Sequence, residues 1–201
     1  DEGRAKDMNP IKSEYAQASD LRTLDDVIPD ADMFLGLSGP NVLTPEMVAK
    51  MTDTPIIFAL ANPTPEIMPE AARAVSPDAI IATGRSDFPN QVNNVLCFPF
   101  IFRGALDVGA TTINDEMKIA CIEGIAALAR ETTSAEAAAA YQGEQLTFGA
   151  EYLIPKPFDP RLVGIVSSAV AKAAMETGVA TRPIEDMEAY KASLDNSVFK
   201  S

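Results

Sequence analysis

Three short apolar runs set the frame for this chain. Met33-Phe34-Leu35-Gly36-Leu37, Ile56-Ile57-Phe58-Ala59-Leu60 and Ala79-Ile80-Ile81-Ala82-Thr83 begin 23 residues apart. Runs this short, bounded by turn residues, suit strands buried on both faces. The intervals between them carry helix signals. Thr44-Pro45-Glu46 combines an N-cap, a proline at the first helical position and an early acid, and Met47, Val48 and Met51 continue it as an apolar stripe. Pro69 to Val75 is a shorter helix. Strand–helix–strand–helix–strand at this spacing predicts a parallel sheet with right-handed crossovers, and so an α/β fold. The intervals share no side-chain signature, which excludes a tandem repeat.

The flanks read as helical. Pro10 to Ala18 and Leu21 to Ile28 precede the first strand. Val92 to Val108 contains Val95 to Phe102, apolar on every side and therefore expected to be buried all round, with Pro99 kinking or ending the helix. Asn114-Asp115-Glu116 supplies a cap and first-turn acids for a helix running to about Arg130. Ser134 to Tyr141 is alanine-rich and helical in pattern. Gln142 to Pro160, with Gly143, Gly149, Pro155 and Pro157, reads as a long loop. Arg161 to Glu176 and Pro183 to Leu194 close the chain as helices. No flexible linker divides it. The organisation is a three-strand α/β part over 1–110 and a helical C-terminal part over 111–201.

Composition removes whole classes of function. With 29 acidic against 16 basic side chains and a net charge of −13, the 201-residue chain lacks the clustered cations that nucleic acid or an anionic membrane requires. No apolar run approaches the roughly 20 residues of a membrane helix. The chain has no histidine, so a His-dependent triad and a histidine-ligated zinc are excluded. Cys97 and Cys121 imply no disulfide framework, fit a reducing, cytoplasmic compartment and read as small buried hydrophobes. The start at Asp1, with neither an initiator Met nor a signal peptide, suggests an interior fragment.

Polar groups collect where ligands bind in open parallel sheets, beyond the carboxyl ends of the strands. Those ends carry Ser38-Gly39-Pro40-Asn41, Ala61-Asn62-Pro63-Thr64-Pro65-Glu66 and Gly84 to Asn94. If the strands are parallel neighbours, the three loops form one rim. Carboxamides there offer donors and acceptors without charge, suiting a nicotinamide, a ribose or a small hydroxy acid. Gly39 and Gly84 would let a ligand approach the backbone. Each piece has a plainer reading: Asn62-Pro63 as a turn initiator, Asn93 or Asn94 as a helix cap, Arg85 and Asp87 as a surface ion pair. No G-x-G-x-x-G phosphate fingerprint or P-loop is present. The acid pairs Asp25-Asp26 and Asp115-Glu116 fall at helix starts, and no metal site is evident.

At these loops the sequence resembles a known family. ADMFLGLSGPNVLTPEMV, PIIFALANPTPEIMPE and AIIATGRSDFPNQVNNVLCFPFIFRGALDVGATTINDEMK are similar to the second half of the cofactor domain of malic enzymes, above all the large bacterial NADP-dependent kind with a phosphotransacetylase-like domain. The similarity runs on through LIPKPFDPRL. It implies the second half of a Rossmann-like doubly wound sheet with a helical tail. In the strand order 3-2-1-4-5-6 the three strands would be 4-5-6, and the first would lack the neighbour that carries the phosphate loop.

The resemblance further implies oxidative decarboxylation of (S)-malate to pyruvate and CO2, with NADP+ (or NAD+) reduced and Mg2+ or Mn2+ required. It places Asn62 at the cofactor, Ser38 and Gly39 along the cofactor backbone, Asn93 at nicotinamide and malate, and Asn94 at malate. The family's metal-binding carboxylates, catalytic Lys and Tyr and Gly-rich phosphate turn would lie upstream of Asp1. No catalytic residue or metal ligand is therefore assigned within 1–201, which alone should be inactive. Arg4, Lys6 and Lys12 are the candidates to meet a 2′-phosphate, or else solvated surface charge. The expected partners are the missing N-terminal catalytic half and further copies in a homo-oligomer. The alternative is a non-catalytic nucleotide-binding or oligomerisation module. Another Rossmann dehydrogenase fits the fold but not the asparagine blocks.

Overall fold

The computed structural model describes residues 8–131 and 146–198. The chain divides into two compact units, Asp1–Ile81 and Ala82–Ser201.

In the first unit, β1 (Met33–Gly36), β2 (Ile56–Ala59) and β3 (Ile80–Thr83, which crosses the boundary) form one sheet in the order β1-β2-β3. β1 and β2 are parallel, with Met33 opposite Ile56 and Gly36 opposite Ala59. The crossover segments hold α3 (Pro45–Val48) and α4 (Pro69–Val75). Thr44 caps α3 by accepting from the Met47 N–H at 3.3 Å. The helix is one turn and ends short of Met51, which is nevertheless buried. Phe34, Leu43, Val48, Ile57, Ile67, Ala72 and Ile81 share one core.

Two expectations need correction here. The helices before the sheet, α1 (Pro10–Glu14) and α2 (Leu24–Val27), are shorter than the sequence reading. Neither buries a residue, so each rests on its cap: Asn9 for α1, and the reciprocal Thr23–Asp26 capping box for α2. The second correction concerns β1, which is covered on one face only. Phe34 and Gly36 are buried, whereas Met33, Leu35 and the following Leu37 are 46%, 56% and 74% exposed. Alternating residues point to opposite faces of a strand, and no described element covers the Met33–Leu37 face.

The second unit contains a 3-10 turn (Asn94–Leu96) and the helices α5 (Phe98–Asp107), α6 (Asp115–Arg130), α7 (Arg161–Glu176) and α8 (Met187–Val198). α7 lies at the centre and packs against α5, α6 and α8. Leu162, Val166, Val170 and Ala174 on α7 join Leu96, Val108, Met117 and Leu128 in its core. Small side chains allow α5 to approach closely. A Cβ at Gly104 would sit 2.4 Å from the Ser167 carbonyl oxygen, and the Ser167 hydroxyl donates to the Phe100 carbonyl at 3.1 Å.

The sequence reading of Val92 to Val108 changes in two respects. Pro99 lies in the first turn of α5, where its missing N–H leaves no helical bond unmade, so it starts the helix instead of kinking or ending it. The helix is also not buried all round. Phe98 and Phe102 are 61% and 42% exposed, with ring centroids 4.9 Å apart. α6 and α7 span the expected residues, and Asn114 caps α6 through the Met117 N–H at 3.0 Å. α8 starts at Met187 instead of Pro183, because Asp186 accepts from the Ala189 N–H at 2.9 Å, and it runs past Leu194. The described part of the long loop, 146–160, contains no helix. The helix expected over Ser134 to Tyr141 falls outside the described residues.

Candidate functional site

In the first unit the turns after β1 and β2 are joined by one side chain. Glu66 is fully buried. Its Oε1 accepts from the Ser38 N–H at 2.9 Å and its Oε2 from the Ala61 N–H at 3.0 Å. Its main-chain carbonyl accepts from Leu43 N–H at 3.0 Å, and Pro65 O accepts from Asn41 N–H at 3.2 Å. Asn41 takes a left-handed φ of 57° in this turn. Room for the carboxyl comes from Gly36, where a Cβ would lie 2.5 Å from Glu66 Cδ and 2.7 Å from Oε1.

This frame sets the cofactor candidates side by side within the unit. Ser38 is exposed, and its N–H is held by Glu66. A Cβ at Gly39 would meet no heavy atom within 4 Å, so this backbone faces open space. Asn62 is exposed, follows Ala61 directly and precedes a cis bond to Pro63. Its carboxamide has no partner among the described residues. The sequence reading overlooked Glu66, which looks like any surface acid among prolines. The available signal was Gly36: a glycine inside a strand marks a place where another group comes close.

In the second unit the chain after β3 folds back on itself. Val92 N–H donates to Thr83 O at 2.8 Å. Asn90, buried and with φ 55°, clamps a distant loop: its Nδ2 donates to Ala150 O at 2.7 Å and its Oδ1 accepts from Leu153 N–H at 2.7 Å. A cavity of about 570 Å³ lies here, lined by Phe88, Asn90, Glu151, Tyr152, Lys156 and Phe158 among others. Arg85 and Asp87 form a two-pronged ion pair at 2.8 and 2.6 Å, which holds the Asp87 carboxyl below its ordinary range. Both ends are open to solvent, as the surface-pair reading expects.

The two candidate asparagines differ. Asn93 is the cap of the 3-10 turn, its Oδ1 accepting from Val95 N–H at 3.1 Å. Asn94 is exposed, and its carboxamide has no partner among the described residues. Behind them Cys121 is buried in the helical core beside Cys97, and burial pushes its thiol up to about 11. Among the described residues no group of three or more carboxylates or thiols could hold a metal ion. Nor is any described helix long and apolar enough to cross a membrane. Arg4 and Lys6 lie outside the described residues; Lys12 is exposed on α1.

Comparison with known proteins bears directly on these turns. The profile of the malic enzyme NAD-binding domain matches residues 3–141. The NAD-dependent malic enzyme of Rhizobium meliloti (strain 1021) is 63% identical over 99% of the chain, and the NADP-dependent malic enzyme of Escherichia coli (strain K12) is 62% identical over all of it. The chain spans only 26% of the length of either relative. Among solved structures, the malic enzyme of Entamoeba histolytica aligns with 90% of the chain and 34% of its own at a TM-score of 0.75 and 32% identity. That of Pyrococcus horikoshii Ot3 aligns with 88% and 36% at a TM-score of 0.69 and 38% identity. A parallel three-strand sheet with crossover helices and a helical tail is thus the arrangement of a malic-enzyme cofactor domain, and the chain belongs to the malic enzyme NAD-binding domain family.

Proposed function

We propose that this chain is the cofactor- and substrate-binding portion of an NADP-dependent malic enzyme, which oxidises and decarboxylates (S)-malate to pyruvate and CO2. The observation that carries the reading lies in the first unit: Asn62, exposed and engaged by no described protein group, on the turn that Glu66 ties to Ser38 and Gly39, in a chain of this family. Asn62, the Ser38 hydroxyl and the open backbone at Gly39 hold the dinucleotide. Asn93, already fixed as a cap, presents its remaining amide edge to nicotinamide. Asn94 donates to malate and orients it. Such placement lowers the barrier by removing rotational freedom before reaction. The chemistry that a bound dinucleotide supplies is hydride acceptance.

Mg2+ or Mn2+ and the proton-transfer groups belong to the N-terminal catalytic half of the parent enzyme. On this reading 1–201 alone should be inactive. The parent enzyme is a cytoplasmic homo-oligomer. The likeness to the large bacterial NADP-dependent kind favours NADP over NAD, although the Rhizobium meliloti relative is an NAD-dependent malic enzyme and that of Escherichia coli an NADP-dependent one.

The test is steady-state kinetics of the parent enzyme with malate, Mn2+ and either dinucleotide. Asn94→Ala should lower kcat/KM for malate by about ten- to a hundred-fold, the loss of one to two oriented hydrogen bonds. Asn62→Ala should chiefly raise the KM for NADP+. Unchanged malate kinetics in Asn94→Ala would remove the substrate assignment.

A further inference from the structure

We infer that Glu66 is a positioning residue for dinucleotide binding: its two carboxyl oxygens set the spacing between the turn that presents Ser38 and Gly39 and the turn that presents Asn62. The inference rests on the proposal that these turns carry the cofactor.

The geometry is unusually complete for a side chain that touches no ligand. Glu66 is fully buried, yet it hydrogen-bonds an amide two residues past the end of each of two neighbouring strands, Ser38 N–H at 2.9 Å and Ala61 N–H at 3.0 Å. The Leu60 N–H, which donates to Gly36 O at 3.1 Å, still continues the sheet. One residue further on, at Ala61, the bond switches from strand to side chain. Glu66 therefore takes over where the ladder stops and carries the separation of β1 and β2 into the turns. Burial of a carboxyl is costly unless its oxygens are satisfied, and here the two turn amides do this. The vacancy left by the absent Gly36 side chain is filled by this carboxyl, so its position is fixed sterically as well.

The nearest substitutes fail at this task. Two inward N–H groups need two acceptors on one rigid plane. Gln keeps the shape but sets an NH2 donor against one of the two amides, so one turn loses its anchor. Asp keeps both oxygens but withdraws them by one methylene. Met fills the space and satisfies neither amide. In each case Ser38 and Asn62 keep their own identity, and only the spacing between them changes.

The experiment uses the full-length parent enzyme, with NADP+ binding followed by calorimetry and kinetics with Mn2+ and malate. Glu66→Gln should raise both the Kd and the KM for NADP+ about ten-fold or more, the equivalent of one hydrogen bond to a buried amide, while the KM for malate stays in place. Gly36→Ala, whose Cβ would press on the carboxyl and on the Phe34 ring, should weaken NADP+ in the same way and, in the folded protein, add little to Glu66→Gln when the two are combined. Asn62→Ala separates the two levels of the argument. If Asn62→Ala weakens NADP+ but folded Glu66→Gln and Gly36→Ala bind it as the wild type does, the cofactor reading stands and the positioning role is overturned. If none of the three changes NADP+ binding, the cofactor reading itself fails and takes the inference with it. A lower melting temperature with unaltered NADP+ affinity marks a purely structural side chain, which also overturns the inference. Should Glu66→Gln not fold, Gly36→Ala decides alone by the same criteria.

Discussion

β1 in the first unit buries Phe34 and Gly36 while Met33, Leu35 and Leu37 stay exposed; α7 in the second unit buries Leu162, Val166, Ser167, Val170, Ala171 and Ala174 under three neighbouring helices. The second unit thus closes an apolar core from its own residues. The first leaves one face of β1 open and joins the turns after β1 and β2 by polar bonds through Glu66. An apolar strand face with no cover, on a strand at the edge of a sheet, is a surface that folding normally removes from water. The contrast is between a central helix covered on all sides and an edge strand covered on one; outside α7 the second unit too exposes apolar side chains, Leu106, Ile119 and Ile122 among them.

The largest effect should come from opening the closed core. Leu162→Ala removes a fully buried side chain that packs among the helices of the second unit. It should cost about 2–5 kcal/mol, because neighbours pinned by close helix contacts at Gly104 and Ser167 cannot collapse into the cavity. The urea midpoint of the parent enzyme and amide exchange along α5 to α7 report it. A loss well below this range would mean that the second unit is more loosely packed than its small-residue contacts imply.

A change on β1 tests the other side of the comparison. Leu35→Asp replaces a side chain that is 56% exposed here. If the rest of the parent enzyme covers this face, the substitution should cost more than the about 1.5–3 kcal/mol that burying a leucine contributes, because a carboxylate is buried in its place. In the isolated chain it should cost little and should reduce self-association, measured by sedimentation. Equal, negligible effects in both settings would show that the face is solvated in the enzyme and that the first unit needs no completion.

How far the sequence foretells this picture depends on the range of the interaction that decides each feature. Helix starts governed by local bonds are legible: Thr44, Asn114 and Asn93 all cap as their residue types suggest. Strand positions follow from the periodic apolar runs. The features that were not legible are decided at a distance. α1 and α2 shorten because nothing packs on them, a fact absent from their own residues. Pro99 starts a helix because the 3-10 turn before it has already ended the previous segment. Val95 to Phe102 is apolar on all sides, but only the arrangement of α7 decides which side is covered. Within the candidate site, Asn62 and Asn94 stand out by motif. Glu66 does not, since its partners Ser38 and Ala61 lie 28 and 5 residues away along the chain. Gly36 records that contact only as a missing side chain.

The smallest effect concerns the closed core and its response to alkali. Cys121 sits in that core, and burial, then the neighbouring Cys97, raise its thiol from 9.0 to about 11. The native state therefore keeps a proton that the unfolded chain releases at lower pH. Its contribution to stability is intact below pH 9.0 and is lost as the pH climbs towards about 11. Tyr190 adds a loss of the same sign that begins higher, because burial and then its 2.7 Å hydrogen bond to Asp107 raise it from 10.0. Cys121→Ala should accordingly flatten the first part of the alkaline decline and leave the second, whereas Tyr190→Phe should do the reverse. Urea midpoints collected across this pH range resolve the two. An unaltered early slope in Cys121→Ala would mean that the thiol is hydrated in solution, and that the helical unit is less tightly closed around α7 than the comparison with the open strand requires.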